Sequence, residues 1–244
     1  MYVGPTEPAH TDMFVYEDAK IISKSVRVSP ALIKIFDEVL VNARDHVTRC
    51  QNAKSENQVT KIDVTIDADT GTFTVRNNGE GIDVAQHPEH KLWIPEMIFA
   101  HLRTSTTYED EGASAADHKP RTIGGKNGYG AKLAFVFAVS SRIETIDASR
   151  KKLYSQEFGK NLESVQPPKV SRCTRKPYTE VTVTPDLARL GGKQKKGFDA
   201  ATMSVLTRRI YDMAAVTDKA VNVTLNGEKL SVRTLEHYSN LVLG

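Results

Sequence analysis

Residues 29–47 read SPALIKIFDEVLVNARDHV, and the apolar residues in this stretch are spaced as on one side of a helix. The opening serine and proline are typical of a helix N-cap followed by its first turn. Apolar side chains then recur at steps of three and four residues, from Leu32 through Phe36 to Val47. The stretch therefore predicts a helix that begins at Pro30 and buries one face against a core.

A polar stripe runs along the same predicted helix, beside its apolar face. It consists of Glu38, Asn42, Asp45 and Arg49, which occupy positions i, i+4, i+7 and i+11. The charge pattern alone favours a solvated helix side with an internal ion pair. Asn42 instead favours a binding role, because asparagine is a poor helix-interior residue that offers both a carbonyl and an amide to a ligand. On these residues alone, both interpretations stay open.

A β-hairpin is predicted after this helix, and it leads into a turn that contains glycine. Residues 61–66 alternate between apolar and polar side chains, residues 69–71 form a turn, and residues 72–76 return as the partner strand. The chain then continues as NNGEGI, residues 77–82. Two glycines one residue apart permit a simple sharp turn, which is the commoner use, or a close approach of the backbone to a flat ligand.

Residues 124–132 read GGKNGYGAK and form a glycine-rich segment. They end a long polar segment that starts at residue 103, and they precede a predicted buried helix over residues 131–139. Backbone N–H groups before a helix can cradle phosphate, but neither a P-loop nor a dinucleotide fingerprint is complete here. Phosphate binding and a flexible lid fit the segment equally well.

The rest of the chain predicts strands with helices inserted between them. Strands are predicted around residues 143–148, 152–158 and 179–184, an amphipathic helix over 199–215, and a hairpin over 221–232 with Asn-Gly at its turn. The first 28 residues show no regular pattern. Strands interleaved with helices indicate an α/β or α+β sandwich.

The composition excludes several classes of protein. Of the 244 residues, 39% are hydrophobic and 26% are charged, as in an ordinary globular chain and unlike a disordered or fibrous one. No apolar run reaches the ~18 residues that a membrane span needs. A net charge of +3 permits contact with DNA without arguing for it. Two cysteines do not make a disulfide framework, so we expect a reducing compartment.

Four segments of the chain carry a specific resemblance when they are taken in order. They read FDEVLVNA at residues 36–43, NNGEGI at 77–82, TSTTY at 104–108 and GKNGYGAKL at 125–133. This series resembles the ATPase domain of eukaryotic-type (type IIA) DNA topoisomerases II, a branch of the GHKL superfamily, and the resemblance covers nearly the whole chain. It implies the GHKL (Bergerat) fold, a two-layer α/β (α+β) sandwich whose mixed, mostly antiparallel sheet carries helices on one face.

The resemblance also implies a site for Mg-ATP between the helices and a lid. Glu38 matches the catalytic general base that activates water, Asn42 matches the Mg²⁺ ligand, and Lys132 matches a catalytic cation that partners the triphosphate. Asn77 and Thr179 match positions that read adenine. The other positions that the resemblance places around the nucleotide are Asp45, Arg49, Gly79, Gly81, Ile82, Ser105, Thr106, Thr107, Gly125, Lys126, Asn127, Gly128, Tyr129, Gly130 and Ala131.

The chain departs from the family pattern in a few places. Thr107 and His46 stand where the family commonly has asparagine. Residues 51–58 and 109–121 form longer segments than the family pattern leads us to expect. These differences indicate a divergent member, viral or protozoan.

Partners and domain limits follow from the same resemblance. We expect residues 1–244 to form one ATPase domain, with the transducer domain and the DNA-cleavage core outside it. The full enzyme would be a homodimer acting on duplex DNA, without a membrane, in the nucleus or at a viral or cytoplasmic replication site. The isolated domain is expected to bind Mg-ATP with little turnover. The alternatives are a MutL- or Hsp90-like ATPase, and a non-catalytic module that binds DNA or a partner through the basic loop 193–196.

Overall fold

The computed structural model describes residues 3–101, 130–191 and 196–243, and within these ranges the chain forms eleven strands and five helices. The strands are β1 (Ala9–Glu17), β2 (Lys20–Val28), β3 (Lys61–Asp67), β4 (Thr72–Asn78), β5 (Ala138–Asp147), β6 (Lys152–Gly159), β7 (Ser164–Val165), β8 (Lys169–Arg172), β9 (Tyr178–Pro185), β10 (Asn222–Leu225) and β11 (Glu228–Lys229). The helices are α1 (Pro30–Asn52), α2 (Ile94–Ala100), α3 (Gly130–Val136), α4 (Ala200–Ala215) and α5 (Leu235–Leu243). None of the helices in these ranges is long and apolar enough to cross a lipid bilayer.

Nine of the strands form one sheet. Its order is β11-β10-β3-β4-β9-β5-β6-β7, and β8 joins it by pairing with β6. All neighbours in the sheet are antiparallel except β10, which runs parallel to β3. β1 and β2 form a separate antiparallel hairpin. The main sheet is therefore mixed and mostly antiparallel, as the family resemblance implies.

The two faces of the main sheet differ in chemistry. One face contributes buried side chains such as Val75 to the main core, which it shares with α1, α3 and α4. Phe36 of α1 packs edge-on against Phe73 of β4, with ring centroids 5.0 Å apart. On the opposite face, threonine hydroxyls pair across the strands, and Thr74 Oγ1 lies 3.0 Å from Thr182 Oγ1. Helices cover the apolar face, which confirms the predicted two-layer sandwich.

The helix caps explain why α1 and α4 begin where the sequence predicts. Ser29 Oγ accepts a hydrogen bond from the Leu32 backbone N–H at 3.3 Å and donates one to the Thr6 carbonyl at 2.9 Å. Asp199 caps α4 in the same way, because its Oδ1 accepts from the Thr202 backbone N–H at 2.7 Å. Each cap satisfies a donor that the first helical turn leaves unpaired.

An arginine in α4 joins three helices. Arg209 donates two hydrogen bonds to the Asp37 carboxylate of α1, with Nε–Oδ1 at 2.7 Å and Nη2–Oδ2 at 2.8 Å. Its Nη1 reaches Asp212 Oδ2 at 2.9 Å, and Tyr238 of α5 donates to the same carboxylate. Burial raises the pKa of Asp37 even though Arg209 opposes the shift. A bidentate ion pair therefore stabilises the helix layer in addition to apolar packing.

Three elements differ from the sequence-based prediction. The first 28 residues contain the β1–β2 hairpin, whose turn residues Asp18 and Ala19 have φ values of 49° and 60°. Aspartate is common at the first position of such turns, but the second position usually carries glycine, and Ala19 in that place leaves the turn signal incomplete. The helix predicted over residues 131–139 ends at Val136, since Ala138 already pairs with Pro185 in the sheet. Helix α5 has no counterpart in the prediction.

Candidate functional site

The polar stripe of α1 meets the start of α3. The Glu38 side chain is only 17% exposed, and its Oε1 contacts the ammonium of Lys34 one turn earlier. Its other oxygen, Oε2, occupies the space that a Cβ on Gly130 would need. Only glycine at position 130 therefore leaves the carboxylate where it is. The stripe faces α3 at this point, so the interpretation as a solvated helix side is wrong for Glu38.

The rest of the stripe is spread along α1. Asn42 is half-buried one turn after Glu38, and Asp45 is 2% exposed, with Arg44 Nη1 3.5 Å from its Oδ1. Arg49 is exposed. Because an α-helix rises 1.5 Å per residue, Arg49 lies about 16 Å along the axis from Glu38. The structure thus places Asn42 beside the candidate base and Arg49 near the far end of the helix.

His46 connects α1 to the glycine turn after β4. Its Nε2 bonds the carbonyl of Glu80, and its Nδ1 lies 3.2 Å from Arg49 Nη2. Burial and the neighbouring Arg49 charge lower the pKa of His46 to about 4, although the bond to Glu80 works against the shift. The ring is therefore neutral at pH 7, with Nε2–H donating to Glu80 and Nδ1 accepting from Arg49. The ring is engaged with the turn and is not a free surface histidine.

Asn77 and Thr179 lie side by side in the sheet. They are partners in the β4–β9 register, and Asn77 is buried while Thr179 is half-buried. Asn77 Nδ2 donates to the Asn78 carbonyl at 2.9 Å, which sets the orientation of the amide. The amide oxygen of Asn77 remains as a hydrogen-bond acceptor. The two residues that the resemblance assigns to adenine are thus brought together.

Strand β5 contacts the turn that follows β4. Gly79 is buried with a φ of 105°, and a Cβ on Gly81 would overlap the carbonyl oxygen of Ile146. The Ile82 backbone N–H donates to Thr145 Oγ1 at 2.9 Å, one residue before Ile146. Glycine at position 81 is therefore required by close approach of two backbones.

Asp147 extends this contact between β5 and the turn. Its Oδ2 accepts from the Val84 backbone N–H at 2.8 Å, and its carboxylate also bonds Ser149 and Arg150. Burial alone would raise the pKa of Asp147, but bonds from the Arg150 and Val84 backbones and from the Ser149 and Arg150 side chains lower it to about 2. Thr145 and Asp147 were not among the site residues predicted from the sequence. The sequence does contain a signal for them. Both residues follow Ile143 at steps of two, so these two polar side chains lie on the same, core-facing side of the strand as an apolar one.

Lys132 and Ala131 belong to α3 and are both buried. Lys132 is 2% exposed, and burial lowers its pKa. A buried ammonium is stabilised by a nearby anion, because the anion offsets the loss of water. The predicted positions Ser105, Thr106, Thr107, Gly125, Lys126, Asn127, Gly128 and Tyr129, and most of the basic loop 193–196, lie outside the described residues.

Comparison with known proteins identifies the family. The family of histidine kinase-, DNA gyrase B- and HSP90-like ATPases matches residues 27–189, which include Glu38, the glycine turn and Thr179. The chain belongs to this family of ATPases. The match confirms the family and fold class that the sequence resemblance implied.

Two relatives with similar sequences are both DNA topoisomerases 2. DNA topoisomerase 2 of Acanthamoeba polyphaga mimivirus is 38% identical over 246 residues, which make up 98% of this chain and 18% of that protein. The Saccharomyces cerevisiae DNA topoisomerase 2 is also 38% identical over 246 residues, 99% of this chain and 16% of that protein. The chain thus spans less than a fifth of the length of these relatives.

Solved structures agree with the sequence comparison. The ATPase region of Saccharomyces cerevisiae topoisomerase II superposes with a TM-score of 0.86 at 36% identity, and the match covers 98% of this chain and 60% of that one. The ATPase and transducer domains of the Balamuthia mandrillaris enzyme superpose with a TM-score of 0.87 at 34% identity, over 99% of this chain and 59% of that one. The chain is similar in sequence and fold to the ATPase part of type II topoisomerases.

Proposed function

We propose that this chain is the ATP-binding and ATP-hydrolysing domain of a type IIA DNA topoisomerase. One observation carries the proposal: the Glu38 carboxylate is held against Gly130, where the glycine-rich segment joins α3. This contact supports the role that the resemblance gives to Glu38, because Gly130 belongs to the segment assigned to the triphosphate. Membership of the ATPase family and similarity to topoisomerase II ATPase regions support the same assignment.

Glu38 has the surroundings of a general base. Lys34 contacts Oε1 and so restrains the side chain, while Oε2 is directed at Gly130. A restrained carboxylate of this kind can orient a water molecule and accept its proton during attack on a phosphoryl group. Glu38 is therefore assigned the proton-accepting step of hydrolysis.

The described donors suit a magnesium nucleotide. Asn42 offers an amide oxygen one turn from Glu38, and Mg²⁺ prefers a few oxygen ligands while it keeps several waters. Lys132 contributes a buried positive charge. Bound Mg-ATP supplies the phosphoryl group, and the metal neutralises part of its negative charge.

The base site is formed by the sheet and the turn after β4. Asn77 offers an acceptor to an exocyclic amine, and Gly81 lets the turn pass close to β5. Ile82 contributes a half-buried apolar side chain beside them. We assign adenine to this end of the site, with the phosphates toward Glu38.

In the complete enzyme we propose that ATP binding closes two such domains into a dimer. Closure would trap a DNA duplex, and hydrolysis would reopen the gate. The relatives named DNA topoisomerase 2 support this role. The enzyme would then act where the DNA is kept, in the nucleus or at a viral or cytoplasmic replication site.

Calorimetric titration of the 244-residue chain with a non-hydrolysable ATP analogue tests the proposal. We expect one site per chain and tighter binding with Mg²⁺ than without it. Asn42→Ala should remove the magnesium effect, because it deletes the amide oxygen. An absence of nucleotide binding, together with salt-sensitive binding of duplex DNA, would instead favour the non-catalytic module.

Single-turnover hydrolysis by the complete enzyme, with protein in excess over ATP, tests the assignment of Glu38. Glu38→Gln keeps the size and hydrogen-bonding capacity of the side chain but removes the base. We expect analogue affinity to be retained and the hydrolysis rate to fall about 100-fold or more. Hydrolysis at the parent rate would remove Glu38 from this role.

A further inference from the structure

The hydroxyl of Thr145 is the centre of a small hydrogen-bond network below the base site. Thr145 is 0% exposed and lies on β5 opposite Thr179 of β9. Its Oγ1 is 2.9 Å from the Ile82 backbone nitrogen, 3.0 Å from the Tyr178 carbonyl oxygen and 3.1 Å from Thr179 Oγ1. These three contacts use the full hydrogen-bonding capacity of a hydroxyl group.

Counting protons fixes the direction of each bond. A hydroxyl has one proton to donate and two lone pairs that accept. The Ile82 N–H can only donate and the Tyr178 carbonyl can only accept, so the Thr145 proton points to Tyr178. The remaining lone pair of Thr145 must then accept from Thr179. The single proton of Thr179 is therefore already used, and only its lone pairs remain for a ligand.

A second acceptor stands next to Thr179. Asn77 is its partner in the β4–β9 register. Asn77 Nδ2 donates to the Asn78 carbonyl, so the amide oxygen lies on the other side of the amide group and is not used in this bond. One of the two Asn77 amide protons is used in that bond, and the Asn77 amide oxygen and the Thr179 lone pairs form two neighbouring acceptors. Adenine carries an amino group at its six position, which donates hydrogen bonds, whereas guanine carries an oxygen there, which only accepts.

We infer that Thr145 is a specificity-determining positioning residue, because it commits the Thr179 hydroxyl to act as an acceptor and so selects 6-amino over 6-oxo purine nucleotides. The inference rests on the proposed nucleotide site but adds a residue that does not itself touch the base. Without Thr145, the Thr179 hydroxyl is free to rotate and to donate to a 6-oxo group. A hydroxyl that can only accept discriminates strongly between the two purines. A 6-oxo group facing it would leave both oxygens buried without a hydrogen bond, which lowers the binding affinity.

Binding of three nucleotides to the unaltered chain provides the first test. We compare non-hydrolysable triphosphates of adenosine, of inosine (6-oxo) and of purine riboside (hydrogen at position six) by calorimetry. Two fixed acceptors predict the order adenosine, then purine riboside, then inosine, with inosine weakest because its oxygen faces two acceptors and its N1–H can donate to only one of them. Inosine binding as well as purine riboside would overturn the inference, and failure of all three to bind would overturn the proposed function instead.

Substitution of Thr145 provides the second test. Thr145→Val keeps the shape but removes the hydroxyl, and we expect the ratio of adenosine to inosine nucleotide affinity to fall about 10-fold or more. Thr145→Ser restores the hydroxyl and should restore the ratio. If Thr145→Val weakens both nucleotides equally, the residue is structural and the inference is wrong.

A matched control exists on the other face of the same sheet. Thr74 and Thr182 make the same kind of cross-strand hydroxyl pair, at 3.0 Å, away from the helix layer. Thr74→Val should leave the adenosine to inosine ratio unchanged. A change in the ratio equal to that of Thr145→Val would show that loss of any threonine pair perturbs the site, and the inference would fail.

Discussion

At the scale of single residues, His46 shows how one side chain can make stability depend on pH. Its ring is held neutral between the Glu80 carbonyl and Arg49, with a pKa of about 4. In the unfolded chain a histidine has a pKa of about 6.5. The unfolded state therefore takes up a proton at a higher pH than the folded state does.

We predict that His46 lowers the free energy of unfolding as the pH falls from about 6.5 to about 4. Its contribution is fully present above pH 6.5, is lost across this window, and amounts to about 3 kcal/mol. Urea unfolding at several pH values measures it. His46→Gln keeps a donor for Glu80 without titrating, so its stability should depend less on pH. Equal pH dependence in the two proteins would contradict the prediction.

Two glycines of the site should respond differently to the same added methyl group. A Cβ on Gly81 meets the backbone of Ile146, which cannot move alone, whereas the atoms nearest to a Cβ on Gly130 belong to the flexible side chain of Glu38. We predict that Gly81→Ala lowers the free energy of unfolding by about 1–3 kcal/mol. Gly130→Ala should cost less than about 1 kcal/mol but slow single-turnover hydrolysis about 10-fold or more, because the carboxylate is displaced. A Gly130→Ala protein with unchanged hydrolysis would contradict the second half.

At the scale of elements, the contact between α1 and α4 depends on the ion pair of Arg209 with Asp37. The Arg209 side chain is 31% exposed and the Asp37 side chain is 18% exposed, so water screens the pair only partly. Removing one partner leaves a carboxylate in an environment that already raises its pKa. The bridge therefore matters more than an ordinary surface ion pair.

We predict that Arg209→Met lowers the free energy of unfolding by about 2 kcal/mol. Lys24→Met is the matched control, because Lys24 and Glu17 form an exposed ion pair at 2.8 Å whose loss should cost less than about 1 kcal/mol. Chemical denaturation of both variants measures the difference. Equal effects would show that the α1–α4 bridge behaves as a surface pair.

At the scale of the whole molecule, the main sheet and the β1–β2 hairpin differ in their stability against local opening. Strands β4, β9 and β5 each have a neighbour on both sides and share the main core. The hairpin is a separate two-stranded sheet, and its small cluster consists of Val15, Val26 and Val28 with Val205 of α4. Local opening of the hairpin is therefore easier than opening of the central strands.

Hydrogen exchange should resolve these two levels of stability. We predict that amides of β1 and β2 exchange by local opening, while those of β4 and β9 exchange only by global unfolding. Val15→Ala should speed exchange in the hairpin further and leave the central strands nearly unchanged. Hairpin amides as protected as those of β9 would contradict the prediction.

The sequence predicts the fold and half of the site because the signals for them are local. The capped start at Ser29, the helical spacing around Phe36 and the glycine pair after β4 each lie within a few residues. Glu38 and Asn42 follow from the same helix once the family resemblance is seen. These residues could be placed without knowledge of distant contacts.

The remaining features depend on residues far apart in the chain. Arg209 and Asp37 are separated by 172 residues, and no pattern in either helix pairs them. Thr145 is 63 residues from Ile82, and its role emerges only when β5 lies beside the turn. The β1–β2 hairpin was missed for a different reason, because Ala19 stands at the turn position that usually carries glycine.

The parallel pairing of β10 with β3 has a consequence for synthesis of the chain. Asn226 closes the edge of β3 by accepting from the Ile66 backbone N–H at 2.8 Å, across 160 residues. A ribosome that adds about 5–20 residues per second needs about 8–32 s to make that interval. Throughout this time the nascent β3 edge has no partner and exposes its backbone donors and acceptors to other chains. The pairing order of the sheet therefore keeps one edge of β3 open during synthesis until β10 has left the ribosome.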